Sequence, residues 1–129
     1  MTSTSPHPAQ SGSVDQRTWQ ALSLRWAALH DAAAAVAALA GLAPEVPEHA
    51  VRAFPGLARD AGARRFAAVE QGVADIAAIM QPGLAALLAV NARGQDARVP
   101  ALALWQEFHA ARAAVLGLVP AEGTSRRSA

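Results

Sequence analysis

Two short stretches of the chain place a tryptophan four residues before a histidine: Trp26 with His30, and Trp105 with His109. On a helix that spacing puts both rings on one face, one turn apart. The imidazole can accept or donate a hydrogen bond, ligate a metal or move a proton near neutral pH, and the indole supplies an apolar wall. The likeness runs further than the pairs. At an offset of 79, Trp26, Leu29, His30, Val36 and Leu39 align with Trp105, Phe108, His109, Val115 and Leu118. If the two segments are neighbours, both Trp-His pairs line one groove. Arg112, on an otherwise apolar flank, would give that groove a cation suited to the carboxylate or phosphate of a small anionic ligand. It has blander uses as well, snorkelling to solvent or pairing with Glu107 or Asp31. The candidate ligand-binding set is therefore Trp26, His30, Trp105, His109 and Arg112. The competing reading is structural: two alanine-rich helices that share hydrophobic positions by chance, each with a histidine on the edge of its core stripe.

Other chemistries find fewer residues. His30 and Asp31 form an adjacent pair, but a metal-dependent phosphohydrolase needs a further histidine and a distant aspartate, and His7 and His49 fall in segments unsuited to supply them. A di-iron bundle needs glutamate three residues before histidine, where Gln106 precedes His109. No metal and no cofactor is expected. Asp75 is the best candidate for a buried acid, with Glu70 nearby, although its place between Val73 and Ile76 points it to solvent. No serine or threonine lies between Ser23 and Thr124 and there is no cysteine, which leaves nucleophilic catalysis almost nothing to work with.

The 129 residues suffice for one domain with a modest core. Of them 35 are alanine, against 33 of Val, Leu, Ile, Met, Phe and Trp together, and all 11 basic residues are arginine. Alanine favours helix and scarcely strand, so an all-β fold is excluded. Arginine without lysine, with abundant Ala, Gly and Pro, suggests a bacterial source with a GC-rich genome. The pI near 9.1 rests on a single net charge, and nine arginines balance nine carboxylates from Val14 to Val119. That gives no electrostatic footprint for nucleic acid. The first residues lack the features of a secretory or mitochondrial leader, so a cytoplasmic location is expected. Gly72 to Ala92 is long enough to span a membrane, but Asp75, Gln81, Pro82 and Asn91 interrupt it, and a buried soluble helix is the preferred reading.

These residues must be positioned by helices. Residues 1–12 and 120–129 read as disordered tails around a single helical domain, 13–119. Ser13 and Gln16 have capping-box spacing. After them Trp19, Leu22, Trp26, Leu29, Ala33, Val36 and Ala40 step by three and four along one helix, which Gly41 closes. A short helix is expected from Pro47 to Ala53, stopped by Pro55, with Val46, Val51, Phe54 and Leu57 capping the bundle. Asp60 is the predicted N-cap of the next helix, whose stripe is Phe66, Val69, Val73, Ile76 and Met80, then Leu84, Leu87 and Asn91 after a kink or break at Pro82 and Gly83. Asn91 and Gln81 read as polar groups near the core that fix register. Gly94 closes that helix. Pro100 is the expected first residue of the last, in which Ala101, Leu104, Phe108, Ala111, Val115 and Leu118 form one stripe and Leu102, Trp105, His109, Arg112 and Leu116 another. The architecture implied is an all-α, small up-and-down helical bundle of three long helices and one short one. Its favoured role is non-enzymatic, through contacts with a protein partner or as a homodimer. The alternative is a small-ligand binding protein or minor enzyme that uses the Trp/His/Arg groove.

Overall fold

The computed structural model describes residues 14–44 and 48–119. Four helices follow in order: α1 (Gln16–Leu39), α2 (Glu48–Asp60), α3 (Ala63–Ala92) and α4 (Arg98–Leu116), and among the described residues there is no strand. The predicted tails, with Ser13, Val46 and Pro47, lie outside the described residues.

The periodicity of α1 is that of its packing. Leu22, Trp26, Leu29, Ala33, Val36 and Ala40 are buried and Trp19 is half-buried, so one stripe meets the rest of the bundle along the helix. Ala40 caps the end and Gly41 takes a positive φ of 77°, which lets the chain leave without a Cβ clash. α2 then returns along α1: its Phe54 ring lies 4.7 Å from that of Trp26 and its Arg59 guanidinium 4.7 Å over Trp19. α3 runs up again, and α4 comes back down beside it. Gly72 sits opposite Val115 and Gly83 opposite Leu104, which fixes the antiparallel register of α3 on α4. The core is formed where α1, α3 and α4 meet, with α2 laid against α1 and α3.

Several boundaries differ from the sequence expectation, each for a physical reason. α2 does not stop at Pro55 but runs through it to Asp60, with Phe54, Pro55 and Ala58 buried. A proline inside a helix costs about 3 kcal/mol, and apolar burial on both sides offsets that. Leu57 points outward instead of capping the bundle. Asp60 does not cap α3. The reversal between α2 and α3 takes only Ala61 and Gly62, and Gly62 holds the cap position at φ 103°, a conformation that excludes aspartate in practice. α3 is likewise unbroken at Pro82, whose ring is exposed while Met80 and Leu87 stay buried on the inner side. Asn91 and Gln81 are exposed, so neither serves register in the core. Pro100 is the third residue of α4, where its missing N–H would have had no helical partner anyway. Asp96 accepts a hydrogen bond from the Arg98 amide at 2.9 Å just before it.

The two glycines facing α4 are not equivalent. A Cβ at Gly72 would stand 2.7 Å from Cγ2 of buried Val115, and one at Gly83 would stand 2.7 Å from Cδ2 of half-buried Leu104. Valine is stiff about χ1, whereas leucine can rotate. Alanine gains about 1 kcal/mol of helix propensity over glycine, and overpacking costs about 1–3 kcal/mol. Gly72→Ala should lower urea stability by about 1 kcal/mol, while Gly83→Ala should be neutral or stabilising. Equal effects from the two would refute this account.

Candidate functional site

His30 leaves α1 one turn after Trp26 and one position past the core stripe, so its ring lies half-buried between α1 and α4. Both of its nitrogens are engaged. Arg112 of α4 donates from Nε to His30 Nε2 at 2.7 Å, and His30 Nδ1 lies 2.8 Å from the carbonyl oxygen of Trp26. A guanidinium has no lone pair to offer, so Nε2 must be the acceptor and the proton must sit on Nδ1, which donates to the Trp26 carbonyl. The imidazole is therefore neutral in this arrangement. Its pKa is lowered from the ordinary value chiefly by burial; the Trp26 carbonyl pulls it back up, the Arg112 cation lowers it by less, and Asp31 raises it least. Partial burial lowers the Arg112 guanidinium too.

Around this contact the aromatic rings are stacked closely. Trp26 is 1% exposed, with its ring 4.6 Å from His30 in an edge-on arrangement and 5.8 Å beneath the Arg112 guanidinium. His30 in turn meets Phe108 edge-on at 5.7 Å, and Phe108 meets Trp105 at 5.7 Å. Beside them a half-open groove of about 550 Å³ lies between α1, the start of α2 and α4. Trp105, Phe108 and Val51 form its apolar walls, and His30, Asp31 and Glu48 its polar ones, with Arg52 at the rim in an ion pair to Glu48 at 3.6 Å.

The five residues singled out by sequence are thus divided. Trp26, His30 and Arg112 form one contacting cluster. Trp105 shares the groove with His30, but Trp26 is buried beneath the site, and neither Arg112 nor His109 lines the groove. His109 is exposed, its ring 6.2 Å from that of Trp105 in a stacked arrangement. The two Trp-His pairs are therefore unequal: Trp26 is packed against Phe54 of α2, whereas Trp105 is half-buried and His109 exposed. Sequence reasoning missed Glu48 and Arg52 as groove residues, although their four-residue spacing marks a helical ion pair. It also missed that Arg112 would choose His30 over Asp31 or Glu107.

Chemically, the arrangement ties up the His30 ring. An imidazole with both nitrogens committed offers no lone pair to a proton or a metal. Among the described residues no three of His, Asp and Glu are grouped to hold a metal ion, and Asp75 is exposed, accepting a hydrogen bond from Gln71 at 2.9 Å. The fold and site together define an all-α bundle whose central polar contact is a neutral histidine held between a backbone carbonyl and an arginine. No protein-family model, curated protein or solved structure matches the chain significantly.

The sign of the pH dependence follows from the lowered pKa. Between the ordinary histidine value of about 6.5 and the lower native value, the unfolded chain binds more protons than the native one. Stability should be fully present above about pH 6.5 and fall as the pH drops through that window. His30→Gln, which keeps an oxygen facing Arg112 but does not titrate, should flatten this part of the profile in urea titrations run between pH 5 and 7.5. An unchanged slope would exclude His30 as its source.

Proposed function

We propose that the protein is a non-enzymatic helical bundle that works by binding another polypeptide through the outer face of α3. One observation carries this reading. α3 has a mean hydropathy of 1.8 over its most apolar 18 residues, yet only 22% of that window is buried. A helix has one stripe for its own core, and α3 fills it with Phe66, Val69, Val73, Ile76, Met80 and Leu87. The rest of its surface is also apolar: from Ala77 to Ala92 there is no charged residue, and Ile79 and Leu88, on the two flanks of the core stripe, are exposed at 39% and 49%. Apolar surface of this extent marks an interaction face.

By length and composition Ala63–Ala92 could also cross a membrane. A protein partner is the better reading. The helix is one wall of a bundle whose other walls carry Arg17, Arg25, Asp31, Glu107 and Arg112, and its outer face is mostly alanine, which adds little transfer energy into lipid. Alanine instead permits close helix-helix approach. The balanced charge from Val14 to Val119 gives no support to nucleic acid as the partner, and the compartment that agrees with the sequence is a bacterial cytoplasm.

The groove beside His30 supports a second reading, as a small-ligand site. Its walls suit an apolar body, while Asp31 and Glu48 beside a neutral His30 suit a donor or cationic group better than the anion that Arg112 alone would attract.

Contact through α3 is testable in cells. A photo-reactive phenylalanine analogue placed at Ala85 should give a discrete adduct on irradiation, and one placed at Gln20, on exposed α1, should not. Absence of any protein adduct from position 85 would overturn the reading.

A further inference from the structure

The outer surface of the bundle carries both a hole and a knob that fits it. A half-open furrow of about 490 Å³ runs between α1 and α3, walled by Arg25, Ala28 and Ala32 on one side and Ala74, Ala77, Ala78 and Gln81 on the other. Leu88 lies eleven residues after Ala77 and seven after Gln81, which at 3.6 residues per turn places it on the same strip of α3, two to three turns further along. Knob and hole on one strip of one rigid helix cannot meet. Two chains can bring them together when their α3 helices lie antiparallel about a two-fold axis, which sets each Leu88 over the other chain's furrow.

A separate feature fixes the same axis. Asp75 and Arg93 are eighteen residues apart, five helical turns, and so lie on one line along the outer face. No charged residue stands between them, both are exposed, and neither has an ion-pair partner among the described residues. An axis at position 84 sets Asp75 opposite Arg93 of the other chain, and does so at both ends. The axis demanded by Leu88 and the middle of the furrow falls between positions 82 and 83. The two estimates differ by less than two residues, about 3 Å along the helix, so a single register satisfies both the shape and the charge.

We propose that the partner at this face is a second copy of the chain, in an antiparallel α3-α3 dimer with Leu88 in the furrow and Asp75 paired with the partner's Arg93. This rests on the contact reading above and specifies it. Between the paired charges lie Ala78, Pro82, Ala85 and Ala89, whose short side chains let the two backbones approach closely.

The experiment is sedimentation equilibrium of the purified full chain over a wide concentration range. Wild type should follow a monomer-dimer equilibrium. Leu88→Glu should abolish the dimer, and Asp75→Arg or Arg93→Asp alone should each raise Kd about tenfold or more by setting like charges opposite one another. The double variant Asp75→Arg/Arg93→Asp should recover most of the wild-type affinity, because an isologous contact is restored when both partners are exchanged. All three positions are exposed, and unchanged thermal melts of the diluted variants verify that the monomer fold is intact. A dimer indifferent to the single charge reversals, or no rescue by the exchange, would overturn the register. A strict monomer at every concentration would overturn self-association; if position 85 still forms a discrete adduct with a different protein, the contact reading survives. Co-sedimentation of the chain with lipid vesicles, lost in Leu88→Glu, would overturn both in favour of a membrane surface.

Discussion

The fold depends on how one large ring is enclosed by the helices around it. Trp26 is the largest fully buried side chain among the described residues, and it belongs to a helix in contact with all the others. Phe54 of α2 covers it from one direction and Arg112 of α4 lies over it from another, with His30 at its edge. Alanine contributes little apolar area per residue, so an alanine-rich bundle gains stability where the few large residues interlock and gains closeness everywhere else. Removing the Trp26 ring would therefore unseat α2 and α4 together.

The polar contact at the centre follows from that enclosure. An arginine drawn over an indole face in a half-buried site must direct its N–H groups somewhere, and His30 offers the acceptor. The imidazole can accept on Nε2 because the Trp26 carbonyl takes the proton side of the ring. A histidine in this state acts as a neutral spacer that passes a hydrogen bond from one helix to another and fixes the register of α4 on α1. The same commitment removes it from acid-base and metal chemistry, so the residue type that first suggests a reactive site here serves to join two helices.

The sequence made the elements legible wherever one rule dominated. The steps of three and four in α1 and α3 correspond to buried stripes, and Gly41 and Gly94 both adopt positive φ at helix ends. It misled where a local rule met a tertiary one. Pro55 and Pro82 are helix breakers by propensity, yet the cost of one lost backbone bond is smaller than that of exposing Phe54 or Leu87. Asp60 is a good cap by type, but a two-residue reversal needs the φ that only Gly62 supplies. The site was half legible. Trp26 and His30 follow from four-residue spacing, whereas the bond from Arg112 to His30 spans 82 residues and no spacing rule reaches that far. The matched spacing of the second Trp-His pair suggested an equal partner; it is unequal because α2 lies against α1, and nothing comparable covers Trp105.

α3 shows how alanine can serve two surfaces of one helix at different strengths. Its inner stripe holds phenylalanine, valine, isoleucine, methionine and leucine, residues whose exposure would be costly, and these commit it to the bundle. Its outer face holds mostly alanine, whose exposure to water costs little, so leaving that face open in a single folded copy is cheap. A face of this kind binds weakly per unit area and cannot select a partner by hydrophobicity alone. Selection must come from what interrupts the alanine: a protruding leucine, a furrow that can receive one, and two opposite charges spaced a whole number of turns apart. In the proposed dimer such a surface would suit reversible and specific association better than obligate assembly, since the leucine and the charges meet their partners only in one register.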